Sequence, residues 1–585
     1  MRPLNQKQTI KRILRQLKGY TFYIILSVLM AVITVAGSLL VPIFFGDAIN
    51  YMVEGATDWK HIFYYFALIG VSIAFTCASQ WLLNIINNKI TYSVTQDIRR
   101  EAFEHIQKLP LKYLDAHPYG DLVSRNVADV DQFADGLLMG FTQFFTGILT
   151  IVSTLVMMFV LNWIIALAVF VLTPLSLFIA KFVSTKTYKL FRKNSQIRGE
   201  QTAFIDEMVG NLKVVQAFSH EDENSEKFDE INERLTKASQ DATFFSSLPN
   251  PTTRFVNALV YAAVALAGAL TIIFPTSLPF TFNVGKLSTL LSYANQYTKP
   301  FNEITGVITE LQNAIACAGR IYELIDQPLQ VPDAPNAEVL EKAEGNVDFR
   351  DVCFSYSEDR KLIENFNISV KAGQHIAIVG PTGCGKTTLI NLLMRFYDVD
   401  EGAVCVDGKD IRDITRHSLR KNYGMVLQDT WLKNGTIKQN IMLGKPDATD
   451  EEVIEAAKNA HAHKFIMQLE NGYDTYITED GGNLSQGQKQ LLCITRIMLS
   501  LPPMLILDEA TSSIDTRTEM QIQQAFAVMM KGRTCFIVAH RLSTVKNADL
   551  IIVMKDGKII EQGRHEELLE LGGFYNKLYN SQFAV

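Results

Sequence analysis

The sequence predicts a multi-domain membrane protein, with an all-α transmembrane domain of six helices carrying long cytoplasmic extensions, followed by an α/β domain of the P-loop NTPase type. Three observations predict it. Uncharged runs long enough to cross a bilayer crowd the first half of the 585 residues. The texture changes to that of a mixed soluble domain at about residue 345, and a short apolar strand then runs straight into a glycine-rich loop and a helix. A chain of this length exceeds what one hydrophobic core supports, so two or more folded units are expected.

A membrane helix needs about 20 mostly apolar residues. Between Lys18 and Asp47 lie 28 residues without Asp, Glu, Lys or Arg, and between Lys60 and Lys89 another 28, giving one span each. Gly136 to Ala180 is 45 uncharged residues, twice the length required, and a turn at Asn162 and Trp163 divides it into spans three and four. A fifth run, Phe255 to Gly285, contains Pro275 and Pro279, so its helix should end near Phe274. The sixth must lie near Phe282 to Val307, although it holds Lys286, Lys299, Pro300 and Glu303. Five spans would leave the carboxy-terminal domain on the wrong side. The expected spans are therefore 19–47, 61–88, 137–161, 163–181, 254–274 and 282–307, within a transmembrane domain of 1–326.

Lysine and arginine are dense before span one and in the connections Lys89–Asp135 and Lys181–Arg254, which places these segments in the cytoplasm. Both connections read as helical rods extending past the bilayer, interrupted around Pro110–Gly120 and Gly210–Phe218. The amino-terminal segment, too long and basic for a signal-peptide n-region, reads as a basic amphipathic approach to the first span. A net charge of −6 gives no basic surface for nucleic acid, so no nucleic-acid partner is expected. Seven scattered cysteines without a CxxC pair argue against a disulfide framework or clustered zinc site.

Three prolines mark a linker at 327–345, and the second domain should occupy 346–585. There VDFRDVCFSY and LIENFNISV alternate as strands, and HIAIVG leads into the P-loop: Gly380, Pro381, Thr382, Gly383, Cys384, Gly385, Lys386, Thr387 and, opening the helix, Thr388. Such a loop turns backbone N–H groups and a helix terminus onto phosphate oxygens. Lys386 would reach the β and γ phosphates of ATP, and Thr387 would offer its hydroxyl to Mg2+. In MLILDEATSSID, Asp508 ends an apolar strand where it can hold Mg2+, and Glu509 would orient or deprotonate the attacking water.

With LSQGQKQLL at 484–492, whose Ser485 stands 23 residues before Asp508, the chain resembles ATP-binding cassette exporters with fused membrane and nucleotide domains, over nearly its whole length. The resemblance implies that Tyr356 stacks on adenine and that Gln428 links Mg2+ and the attacking water to membrane-domain contacts. It also implies that His540 touches the γ phosphate and that Asp515 lies at a dimer interface. Ser485, Gln486, Gly487 and Gln488 would face the ATP of an opposite subunit, so each ATP is sandwiched between two chains. Tyr113–Gly120 and Gly210–Phe218 become coupling helices, and TEDGG at 478–482 the segment that touches them.

Gln486 stands where the family most often has glycine. In the family, such a signature beside an intact Glu and His resembles the catalytic member of a heterodimer whose partner carries a degenerate ATP site. The expected partner is therefore a related, non-identical half-transporter, with a homodimer as the alternative. Cys384 is either a point of sensitivity to thiol reagents or a tolerated small side chain. Phe44, Phe45, Phe144, Phe145 and Tyr297 suit a small hydrophobic or amphipathic cargo, drug or lipid, and suit membrane lipid equally. Lys299 and Glu303, four apart, either pair structurally or face the transport path. A regulatory or channel protein on the same scaffold, and a membrane-tethered ATPase acting on another protein, are the competing readings. The charge pattern places the amino terminus and ATPase domain in the cytoplasm; the expected location is the cell membrane if the source is bacterial, with an organelle membrane as the alternative.

Overall fold

Where helix breakers are sparse the chain forms very long helices. The computed structural model describes residues 6–53, 58–273, 283–357, 361–427, 430–478, 481–482, 484–508, 514–538 and 545–583, without the side chains of 172–185, 188, 192, 249–250, 253 and 302–305. By internal contacts it divides into two units, Met1–Lys108 with Pro118–Gln327, and Leu109–His117 with Pro328–Val585.

The first unit is all helix: α1 (Gln6–Leu17), α2 (Thr21–Val53) and α3 (Trp59–Ile106). After α4 (Leu111–Asp115), which belongs to the other unit, come α5 (Tyr119–Asn126), α6 (Ala128–Met139), a wide π-type turn at Gly140–Phe145, and α7 (Thr146–Leu161). Then follow α8 (Trp163–Gly210), α9 (Leu212–Ala217), α10 (Glu221–Ser247), α11 (Pro249–Ile273) and α12 (Val284–Ile325). Among the described residues, four helical stretches are long and apolar enough to span a membrane: Gln6–Val53, Trp59–Ile106, Tyr119–Leu161 and Arg254–Ile273. α8 and α12 are also long helices. The break inside the long apolar run falls at Asn162, whose side chain caps α8 by accepting from the N–H groups of Ile164 (3.0 Å) and Ile165 (3.2 Å). The expected end of span five near Phe274 and start of span six at Phe282 lie outside the described residues.

Pro42 sits inside α2 without an N–H to donate to the carbonyl of Ser38. Gln296 of α12 donates to that carbonyl at 3.3 Å, Tyr293 donates to the Leu39 carbonyl at 2.7 Å, and Thr289 to the Pro42 carbonyl at 2.9 Å. A neighbouring helix thus satisfies backbone oxygens that the proline disturbs, the device expected where no water is at hand. The two backbones come so close that a Cβ on Gly285 would lie 2.0 Å from the Gly46 carbonyl oxygen. Tyr297, which the sequence suits equally to cargo or to membrane lipid, is buried in this helical core, edge-on to Phe301. Lys299 is exposed, whereas the side chain of Glu303 lies outside the described residues. Further along, α3, α6 and α12 share a core around Ile90, Ile98, Phe133 and Tyr322, and Arg320 donates from Nε to Asp129 at 2.7 Å beside it.

Among its described residues the second unit carries twelve strands. An antiparallel sheet of order β2-β1-β4-β5 comprises β1 (Val347–Phe354), β2 (Ile363–Val370), β4 (Glu401–Val406) and β5 (Lys409–Asp410). The main sheet has order β12-β11-β3-β10-β9-β6: β3 (His375–Val379), β6 (Tyr423–Val426), β9 (Met504–Asp508), β10 (Thr534–Val538), β11 (Leu550–Lys555) and β12 (Lys558–Gly563), all parallel except β12. Strands β7 (Gly435–Thr436) and β8 (Tyr476–Ile477) form a small pair. β9 and β10 are buried at every residue because helices cover both faces of a parallel sheet, and this is why they read as unbroken apolar runs.

The proline-rich linker is laid onto this unit. Asp333 accepts from Arg416 at Nη1 (2.7 Å) and at the backbone N–H (3.0 Å), and from Arg395 at 3.5 Å. Leu340 N–H donates to Ser418, and Ala343 N–H to Asn422. The main segment of the unit accordingly begins at Pro328.

Candidate active site

Parallel strands all end at one edge, so whatever follows β3, β6, β9 and β10 gathers there. Register pairs Val538 with both Ile378 and Asp508, which sets the end of β9 one strand away from the P-loop. The loop leaves β3 at Gly380, where a Cβ would come within 2.3 Å of the Met554 carbonyl oxygen. It enters α13 (Lys386–Leu393) through Gly385, whose φ of 104° is a left-handed conformation that favours glycine. Lys386 is buried, and its ammonium donates to the carbonyls of Gly380 (2.8 Å) and Pro381 (3.0 Å), holding a cation within its own loop. Thr387 is exposed at the start of the helix while Thr388 turns inward, and Pro381, Thr382 and Gly383 form the open rim. Cys384 is buried with Sγ 3.9 Å from the Lys386 ammonium, which shuts the thiol away from bulky reagents.

Asp508 is 8% exposed at the strand end. An exposed hydroxyl and a buried carboxylate at one sheet edge, beside a lysine, form a hard oxygen donor set that suits Mg2+ only when phosphate and water complete it. Among the described residues there is no cluster of three His, Cys, Asp or Glu that would build a protein-only metal centre. Gln428, Glu509 and His540 follow the ends of β6, β9 and β10 in the chain but lie outside the described residues, as do Glu479 and Asp480 of TEDGG.

Ser485 caps the helix Gln486–Ser500. Its hydroxyl accepts from Gln488 N–H (3.3 Å), and its own N–H donates to the Gln488 side chain (2.9 Å). Gln488 is thereby engaged in the cap, whereas the Ser485 hydroxyl keeps its proton to donate outward. Gly487 is buried, and a Cβ there would lie 2.4 Å from Thr518, so packing inside the chain requires this glycine. Gln486 is exposed and donates to Thr430 at 3.3 Å. Among the described residues no hydrogen bond joins Ser485 or Gln486 to the P-loop. Asp515 caps the helix Thr516–Met530, and hydrogen bonds from Thr518 hold its carboxyl below the usual range.

Tyr356 offers a partly exposed ring beyond β1, set edge-on to Phe354 (4.9 Å) and Tyr397 (5.0 Å), and its hydroxyl accepts from Asn391 at 3.1 Å. Sequence reasoning missed Asn391, Tyr397 and Asp115, whose carboxylate accepts from the Tyr397 hydroxyl. No local signal announces a pair separated by 282 positions. Burial first, then the bond to Asp115, raises the Tyr397 phenol above its ordinary range and keeps it a donor.

Residues 24–301 match the family model described as the ABC transporter transmembrane region, and residues 363–512 the model described as ABC transporter. The chain is 39% identical over 497 residues to a fatty acid ABC transporter ATP-binding/permease protein of Mycobacterium bovis, covering 85% of this chain and 77% of that one. It is 35% identical over 590 residues to an ATP-dependent lipid A-core flippase of Desulfotalea psychrophila, covering 99% and 100%. A solved bacterial Atm1-family ABC exporter with ATP bound is similar at a TM-score of 0.77 and 28% identity, over 96% of this chain and 98% of that one.

Proposed function

The chain belongs to the ABC transporter family, as a half-transporter of the exporter type with helical transmembrane and α/β nucleotide-binding domains, and from that premise we propose that it moves a hydrophobic or amphipathic cargo outward by alternating access. It is a multi-pass membrane protein, it binds ATP, and it is an ATPase coupled to transport. In this reading α8 and α12 cross the membrane together with the four apolar stretches, and the functional boundaries are 1–326, 327–345 and 346–585. Lipid is the favoured cargo class, since the named relatives are a fatty acid transporter and a lipid flippase; a drug-like amphiphile is the other candidate.

One observation carries the reading. The cradle around Lys386 and the exposed cap at Ser485 are two phosphate-binding devices in one unit, with no hydrogen bond between them among the described residues. A single ATP is best served by the cradle of one chain and the cap of another, so hydrolysis requires a pair. The exposed apolar side chains of Val209, Leu212, Val214 and Phe218, at the cytoplasmic turn carrying α9, are also suited to contact with a second chain.

Within each site Tyr356 stacks on adenine, and the P-loop from Gly380 to Thr388 wraps the phosphates. Thr387, Asp508 and Gln428 would hold Mg2+, which when bound neutralises charge on the phosphates. Glu509 orients or deprotonates the water, His540 contacts the γ phosphate, and Gln428 links the site to membrane-domain contacts. The partner's ATP receives the Ser485 hydroxyl and the helix terminus at Gln486. An exposed amide at Gln486, in place of glycine, favours a non-identical partner whose own site is degenerate.

Glu509→Gln in proteoliposomes containing fluorescently labelled phospholipid should lower hydrolysis by about 100-fold or more while ATP still binds. Lipid movement unchanged in that variant would overturn the ATP-driven mechanism. A stable dimer of the purified chain with vigorous, transport-coupled hydrolysis would overturn the heterodimer.

A further inference from the structure

The short segment Arg395–Asp398, just beyond α13, touches more of the second unit's outlying parts than its length suggests. Its flanks are pinned. Arg395 donates to Asp398 at 2.9 Å and to the carbonyls of Ile411 and Ile414, each at 3.0 Å, and with Arg416 it grips Asp333 of the linker. Between those anchors, the ring of Tyr397 stands perpendicular to the ring of Tyr356 at 5.0 Å and close to perpendicular to Phe354 at 5.6 Å. Its hydroxyl is turned the other way, onto Asp115 at the end of α4. α4 is seated by apolar contact as well, since Leu111 packs on the core of the second unit.

We propose that Tyr397 is a positioning residue that links the adenine-stacking ring of Tyr356 to α4, where the proposed coupling segment Tyr113–Gly120 begins, through its hydrogen bond to Asp115. The inference rests on the adenine role proposed for Tyr356. The argument is mechanical. A ring whose flanking residues are anchored through their side chains can respond to its neighbour chiefly by tilting about its own side-chain bonds, and a tilt moves the hydroxyl at its far end. When adenine covers Tyr356, the edge-on partner behind it is restrained, and so is the oxygen that holds α4. The phenol stays protonated across the physiological range, so the link works by geometry and does not depend on a proton leaving. Asn391, which donates to the Tyr356 hydroxyl, fixes the other end of the first ring.

The test is hydrogen exchange at Leu109–His117 on the full chain in lipid nanodiscs, with and without ATP and Mg2+. ATP should slow exchange there in the native protein. Tyr397→Phe keeps both ring contacts and removes only the hydroxyl. It should cut the ATP-dependent protection by about half or more while ATP affinity stays within about twofold. Asp115→Ala should do the same, and Asp115→Asn, which keeps an acceptor oxygen, should retain the protection. Full protection in Tyr397→Phe at normal ATP affinity would overturn the link and leave the adenine role standing. Equal loss in Asp115→Asn and Asp115→Ala would overturn the hydrogen bond as its carrier. ATP affinity unchanged in Tyr356→Ala would overturn the adenine role itself, independently of the exchange result.

Discussion

At Gly487 and Ser485 two kinds of constraint meet on adjacent turns. Gly487→Ala would push a methyl into Thr518, so it should destabilise the nucleotide-binding domain by about 1–3 kcal/mol, read as a lower thermal unfolding midpoint with ATP absent. Ser485→Ala removes one side of a capping box, costing about 1 kcal/mol, and in the proposed sandwich it also removes a phosphate donor. Hydrolysis should therefore fall far more than stability does. Equal losses in both measurements would make Ser485 a cap and nothing else. The sequence displayed both residues as one motif, LSQGQ, without separating their tasks. Only the contact with Thr518 shows that the glycine answers to its own chain while Ser485 and Gln486 face outward. Cys384 is a similar case: in the sequence it could be reactive or inert, and burial under the loop favours inert. N-ethylmaleimide should leave it unmodified in the folded chain, as peptide mass mapping would show.

Among the elements, the linker and the α2–α12 pair were least visible beforehand. Three prolines and a polar composition read as a joint, yet Asp333, Leu340 and Ala343 are bonded into the nucleotide-binding unit. Arg395 and Arg416 have side chains only 5% and 10% exposed, so Asp333→Asn leaves buried cations short of a partner. Removing one member of a buried pair costs about 3–5 kcal/mol, and the retained Asp398 brings this to the low end. Limited proteolysis should then cut between Pro328 and Ala343 in the variant and spare the parent. In the membrane part, Tyr293→Phe should lower the unfolding midpoint in detergent by the equivalent of about 0.6 kcal/mol, the usual size of such a bond between membrane helices. Pro42 lies within the expected span one. That Gln296, Tyr293 and Thr289 answer it was not readable, because the two helices are more than 200 residues apart in the chain and nothing in either marks its partner.

For the whole molecule, the proposed function depends on pairing. Hydrolysis that needs the cradle of one chain and the cap of another should rise sigmoidally with protein concentration below the dimer dissociation constant. Gln486→Gly should strengthen association of the chain with a second copy of itself if the amide is what disfavours the homodimer. Sedimentation of the purified chain with ATP would measure this, and no change would remove Gln486 as the determinant.

The sequence by itself determined the class of the protein: apolar runs give helices because a bilayer leaves the backbone no other partner, and a glycine loop between buried strand and helix gives a phosphate cradle. It also put Lys386 and Thr387 at a loop and helix start, Asp508 at a strand end and Ser485 at a helix cap, because such positions are set by local sequence. The tertiary structure alone decided which residues answer one another at long range. Tyr397 with Asp115, Asp333 with Arg416, Gly487 with Thr518, and α12 with the carbonyls of α2 are contacts between segments whose local sequence is compatible with many neighbours. Packing selects one partner from that set, and only the folded chain shows which.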